Sequence, residues 1–161
     1  MKKSKGNRTA YDAALNLLRY RAQSEAELRK KLKDREYTEE EIDPAIEKLK
    51  HYGYVDDEVM ADDLFESLAG RGEYGDRYIQ QKMKQKGLVC DRHMSDEDEK
   101  EAAKRLLEKK MAVRPGVLPS YQRAAGLLAR RGFSFSVISS VLGEFDFEQK
   151  RSTWGRKKKE D

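Results

Sequence analysis

A single cysteine in 161 residues, Cys90, leaves no intramolecular disulfide to staple a fold and suits a reducing compartment. Proline is nearly as scarce, with three residues, and only Pro44 falls inside an otherwise periodic stretch. No apolar run approaches the length of a membrane span, and the basic start lacks the apolar stretch and cleavage site of an export signal. These absences predict a soluble cytoplasmic chain with no membrane partner. Hydrophobic residues make up only 37% of the chain, too few for a thick core but enough for helices that each bury one stripe. No alternating apolar and polar run of strand length occurs. A phosphate-cradling glycine loop is missing too. Gly70-Arg71-Gly72 resembles one only superficially and reads better as a hinge, so no cofactor is expected.

What is abundant is charge, at 40% of all residues. The net charge of +4 hides a segregation: +6 over residues 1–37, −9 over 38–70, +3 over 71–94, −1 over 95–111 and +5 over 112–161. Such alternation suits two faces of opposite sign, or a partner with its own alternation. Solvated helix faces are the ordinary explanation of any single block.

The chain also repeats itself. Leu28, Leu32, Glu36 and Ile42 recur 51 residues later as Ile79, Met83, Gly87 and His93-Met94, and 45 residues after that as Ala124, Leu128, Gly132 and Ile138. These offsets predict an all-α fold of tandem three-helix repeats, about nine helices in an elongated, curved array whose function lies along an outer surface. The expected organisation is a disordered basic segment over residues 1–8 and repeats over 9–53, 54–94 and 95–143. A basic tail with Trp154 follows over 144–161. Capping boxes at Ser24-x-x-Glu27 and Thr38-x-x-Glu41 open two helices. Pro44 either bends the second or moves its start to Asp43. Gly53 ends it with Tyr54 and Val55 as an apolar clasp, Asp56 or Asp57 caps the next helix, and Gly87 ends the one after. Residues 88–94 have room for at most two turns, and Ser95 opens a new helix.

The middle helix of each triplet is basic. The first bears Arg29, Lys30, Lys31, Lys33 and Arg35, the second Arg77, Lys82, Lys84 and Lys86, and the third Arg123, Arg130 and Arg131. Cations in a last helical turn offset the macrodipole, which explains one or two per helix. It does not explain five in seven residues, where like charges repel. These positions are the candidate contacts to phosphates or an acidic protein groove.

Other chemistries have weaker support. Asp56, Asp57, Asp62, Asp63 and Glu66 have the density of a metal site, but the first two sit where a helix wants an N-cap, and no general base stands at a fixed spacing. Cys90 and His93 lack the second ligand pair that zinc needs and a visible orienting partner for catalysis. Tyr20, Tyr37, Tyr52, Tyr54, Tyr74 and Tyr78 interleave with cations as base-stacking residues do, yet most lie at helix ends where half-buried tyrosine is ordinary packing. No enzyme is expected.

One segment is more specific. Leu49-Lys50-His51-Tyr52-Gly53-Tyr54-Val55-Asp56-Asp57-Glu58-Val59-Met60-Ala61 is followed by Arg71, Gly75, Arg77-Tyr78-Ile79 and Met83-Lys84-Gln85-Lys86-Gly87-Leu88. With Ser24-Glu25-x-Glu27-Leu28 before it and Arg130-Arg131-Gly132-Phe133 after it, this pattern resembles the RecX family of bacterial RecA regulators over roughly residues 9–143. The resemblance implies a curved, monomeric array of three-helix repeats without catalysis. It implies binding to RecA–single-stranded DNA filaments, with inhibition of strand exchange, ATP hydrolysis and co-protease function. By the same resemblance the basic middle helices face the filament groove and its DNA. Gly53, Tyr54 and Asp57 match motif positions whose physical roles are a C-cap, its clasp and an N-cap. Two departures, Pro44 and a shortened third helix at Cys90–Met94, bear on spacing and curvature. The alternative is a helical-repeat protein that binds single- or double-stranded DNA directly, reading the major groove through Arg29, Lys30 or Lys33.

Overall fold

A computed structural model describes residues 7–113 and 120–145. The basic start, the loop with Pro115 and Pro119, and most of the basic tail with Trp154 lie outside the described residues. Eight helices and no strand occur among those described: α1 Ala10–Leu18, α2 Glu25–Asp34, α3 Glu39–His51, α4 Asp57–Gly70, α5 Asp76–Gln85, α6 Asp96–Val113, α7 Tyr121–Arg130 and α8 Phe135–Glu144. The count is one short of the expected nine.

The missing helix belongs to residues 88–95, which form none. So short a segment cannot recover the cost of helix nucleation through its own hydrogen bonds. Side chains of α5 serve its backbone instead. Gln80 donates to the Arg92 carbonyl at 2.8 Å, and Asp76 accepts from the Met94 amide at 2.9 Å.

The helix starts follow local chemistry. Ser24 and Thr38 both close full capping boxes, and Ser120 and Ser134 accept from the N3 amides of α7 and α8. Thr38 remains the N-cap of α3, which runs through Pro44. At its other end Gly53 turns into the left-handed region at φ +75° and Tyr54 donates back to Leu49. Val55 is buried, whereas Tyr54 is 58% exposed, with its ring centroid 6.3 Å from that of Tyr52.

The chain divides into two compact units. The first is built from residues up to Leu64 with Lys82–Asp91, and the second from Phe65–Gln81 with the chain from Arg92 onward. The first has a core in which α1, α2 and α3 bury Leu28, Leu32, Ile42, Ile46 and Leu49. Ala10, Ala13 and Ala14 form the buried stripe of α1, while Leu17 and Leu18 are only half-buried. In the second, α6, α7 and α8 bury Leu106, Leu107, Leu128, Phe133, Val137 and Leu142.

The sequence repeat has a structural counterpart. Glu36, Gly87 and Gly132 are the equivalent positions, and all three take positive φ, at 69°, 68° and 84°. Each turn is closed by the same six-to-one hydrogen bond: Tyr37 to Leu32, Leu88 to Met83 and Phe133 to Leu128. The donor side chain is buried in every case.

Each unit contains one joint between such a turn and the start of another middle helix. In the first unit, the Ser24 hydroxyl at the start of α2 donates to the Lys86 carbonyl, and the Glu25 amide donates to Asp57 Oδ1 at 2.9 Å. In the second unit, the Gly75 amide at the start of α5 donates to the Arg131 carbonyl at 2.8 Å. There the Asp76 amide donates to Glu99 Oε1 at 2.7 Å. These contacts satisfy helix-start amides and helix-end carbonyls that have no partner inside their own helices.

Candidate functional site

The cations of α2, α5 and α7 divide into two groups. Arg29 lies with Nε 3.1 Å from Glu25 and with Nη1 on Asp43. The hydrogen bond to Asp43 holds its pKa above the ordinary arginine value. Lys31 donates to Gln23, and partial burial, aided by nearby Arg21, lowers its pKa. Lys33 pairs with Glu39 at 2.9 Å. Lys86 stands 3.7 Å from Glu27. Arg131 stands 3.9 Å from Glu73 and 5.6 Å from the ring centroid of Tyr74. Lys82 is engaged as well.

Lys30, Arg35, Arg77, Lys84, Arg123 and Arg130 form the second group, with no ion pair among the described residues. All but the half-buried Arg35 are exposed. The excess of cations over macrodipole needs therefore has two sources. Lys86 and Arg131 stand at equivalent positions and bridge the two joints, while the unpaired set faces water. Charge spacing alone does not set Lys86 and Arg131 apart, because their acidic partners lie nearly sixty residues away.

Three carboxylates at the joints have shifted pKa values. Glu25 sits 2.7 Å from Lys50, whose hydrogen bond holds the Glu25 pKa below the ordinary carboxylate value. Partial burial pushes Glu27 up, but the Ser24 amide and the Arg21 guanidinium together hold it below the ordinary value. Glu99 is the opposite case. It is 4% exposed, and burial raises its pKa against the lowering effect of the Asp76 amide. Nothing in the run Asp96-Glu97-Asp98-Glu99 marks the last of these as the buried one. The only periodic signal is its spacing of three from Ala102, at the edge of the α6 stripe.

The acidic cluster does structural work. Asp56 caps α4 by accepting from the Val59 amide at 3.2 Å, which frees Asp57 to serve α2. Asp57 is thus no N-cap of its own helix. Glu66 pairs with Arg92. Among the described residues no group of three or more His, Cys, Asp or Glu side chains has the geometry to hold a metal. His93 does have an orienting partner that the sequence hid, with Nδ1 2.8 Å from Asp76 Oδ2. A cleft of about 420 Å³ lies beside it, walled by Phe65, Ala69, Met94 and Ala102. Its arginines are occupied, Arg92 by Glu66 and Arg105 by Glu101.

Known proteins resemble this chain in sequence and fold. Residues 10–49 match the first three-helix domain of RecX, and residues 96–142 match the third. The regulatory protein RecX of Trichlorobacter lovleyi is 33% identical over 142 residues, which span 82% of this chain and 92% of that one. The chain belongs to the RecX family. Its likeness to the regulatory protein RecX of Chlorobaculum tepidum is 32% identity, over 84% of this chain and 90% of the other. A crystal structure of regulatory protein RecX superposes with a TM-score of 0.67 at 27% identity, covering 84% of this chain and 72% of that chain. RecX from Lactobacillus salivarius has the same fold at a TM-score of 0.69 and 23% identity, covering 85% and 94%. The two matched RecX domains flank residues 50–95, the stretch in which the second triplet lacks its third helix. No helix among the described residues is long and apolar enough to cross a membrane.

Proposed function

We propose that this chain is a non-enzymatic regulator of the bacterial RecA recombinase, acting as a monomer in the cytoplasm. It binds RecA–single-stranded DNA filaments and inhibits strand exchange, ATP hydrolysis and co-protease function. Membership of the RecX family is the observation that carries this reading. The unpaired cations on α2, α5 and α7 support it, because surface cations free of intramolecular partners are available to phosphates or to an acidic protein groove. Lys30, Arg35, Arg77, Lys84, Arg123 and Arg130 are the contact residues in this reading. Arg29, Lys31, Lys33, Lys86 and Arg131 act mainly within the fold.

The test is RecA's DNA-dependent ATPase with this protein titrated well below one copy per RecA protomer. Strong inhibition there, with DNA in excess, supports action on the filament. Inhibition only when the protein saturates the DNA supports direct competition for single- or double-stranded DNA instead. Lys30→Glu combined with Lys84→Glu and Arg123→Glu is expected to raise the half-inhibitory concentration about tenfold or more while helicity is retained. Unchanged inhibition by that folded variant removes these three cations from the contact face.

A further inference from the structure

The regulatory reading gives the acidic block over residues 38–70 no partner. Where α3 turns into α4, this block carries a group of exposed apolar side chains. Tyr52 is 59% exposed, Tyr54 58% and Val59 53%. Single exposed apolar residues are ordinary, but here the rings adjoin one another. The Tyr52 and Tyr54 centroids lie 6.3 Å apart with planes tilted by 55°, and His51 meets Tyr52 in a T-shaped contact at 5.4 Å. These contacts leave more than half of each tyrosine open to water.

The charge around them has one sign. Residues 51–64 include five carboxylates and neither lysine nor arginine. Asp56 and Asp57 are committed to the amides of Val59 and Glu25, and Asp62 is engaged as well. Glu58 and Asp63 are exposed with no ion pair among the described residues. Asp63 follows Val59 by four positions and so shares its side of α4. The two lysines that precede the rings are held elsewhere, Lys48 over the Tyr11 ring at 4.4 Å and Lys50 on Glu25 at 2.7 Å.

We infer that Tyr52, Tyr54 and Val59, with Glu58 and Asp63, form a docking surface for an arginine-bearing segment of a partner protein. Charge complementarity selects the occupant. Phosphates are repelled by these carboxylates, and a purely apolar segment leaves Glu58 and Asp63 unused. Lysine satisfies the carboxylates, but its ammonium is strongly hydrated. The planar, weakly hydrated guanidinium serves both needs, lying against a tyrosine while donating to a carboxylate. The inference goes beyond the regulatory reading and does not depend on it, since the free cations of α2, α5 and α7 meet groups of the opposite sign.

The test titrates the ¹⁵N-labelled full chain with short oligoarginine and oligolysine peptides of equal length and follows the amide chemical shifts. Oligoarginine is expected to shift amides between His51 and Asp63 and to bind about threefold or more tighter than oligolysine. Tyr52→Ser combined with Tyr54→Ser is expected to remove that preference while helicity is retained. Glu58→Gln combined with Asp63→Asn is expected to weaken both peptides about twofold or more. Equal affinity of the wild type for the two peptides overturns the inference without recourse to a variant. So do shifts that fall only elsewhere in the chain, or an arginine preference that survives loss of both tyrosines. If oligothymidine rather than oligoarginine shifts these amides, the surface belongs to nucleic acid. If they shift with protein concentration alone, it belongs to a second copy of the chain. Either result also overturns the inference.

Discussion

Where α2 begins, Ser24 reaches the Lys86 carbonyl with its hydroxyl. Where α5 begins, Gly75 reaches the Arg131 carbonyl with its backbone amide. The two positions are equivalent in the repeat, and so are the two carbonyls, yet one contact uses a side chain and the other the main chain. Space decides between them. A Cβ at position 75 sits 2.4 Å from the Gly132 carbonyl oxygen, so no serine fits there. With the backbones that close, the amide itself serves. The receiving turns differ in the same sense. A Cβ on Gly87 meets the Ala26 methyl at 2.4 Å, whereas one on Gly132 meets the Tyr78 backbone nitrogen at 2.3 Å. One repeat thus builds its joint through side chains that substitution can trim, and the next through backbone that it cannot.

The largest expected effect follows from that contrast. Gly132→Ala combines left-handed strain with a backbone clash and is expected to destabilise the protein by about 3 kcal/mol or more in urea unfolding. Gly87→Ala is expected to cost about 2 kcal/mol, and Ala26→Gly in the same chain to recover part of it. If both alanines cost the same, or if Ala26→Gly recovers nothing, the distinction between side-chain and backbone joints is wrong.

The third equivalent turn sharpens the comparison. Glu36 has φ of 69° and is exposed, so it bears left-handed strain without the close approach that demands glycine elsewhere. Glu36→Gly is expected to stabilise the chain by about 1 kcal/mol, seen as a higher urea midpoint with an unchanged slope. A neutral or negative result would show that the Glu36 side chain contributes something its exposure conceals.

The smallest effect is one of pH, and its sign differs between the joints. Glu25 and Glu27 have pKa values lowered in the fold from an ordinary 4.5, so their contribution is present above that value and lost as pH falls through their folded values. Glu99 has a raised pKa, so the fold binds its proton more tightly than the unfolded chain does. Its ionisation costs stability as pH rises from 4.5 through the folded value, and acidification across that window relieves the cost. Amide exchange, corrected for intrinsic rates, is expected to show Phe133 gaining protection on mild acidification and Leu88 losing it below pH 4.5. Parallel changes at both amides would refute the assignment of opposite signs.

The repeat was legible because its physics is local. Ser24 with Glu27, and Thr38 with Glu41, state their helix starts within four residues, and the stripes of α6 and α8 bury as their spacing predicts. The stripe of α4 was less legible. Val59 is exposed while Ala61, Phe65 and Leu68 are buried, because apolar residues lie on more than one side of that helix and its partners choose the face. The candidate site was legible in composition but not in detail. Lys30 and Lys31 look alike in the chain, yet one faces water and the other is half-buried against Gln23.

What the sequence determined by itself was therefore the class of fold, the helix starts at Ser24, Thr38 and Ser95, the turns at Gly53 and Gly87, and the basic character of the middle helices. Each depends on backbone preferences and neighbours within one or two helical turns. Tertiary structure alone decided that Asp57 serves α2, that Glu99 is buried on the amide of Asp76, that residues 88–95 form no helix, and which cations remain unpaired. Most of those outcomes join residues between 12 and 59 positions apart, where packing geometry sets the partner and chain propensity carries no information.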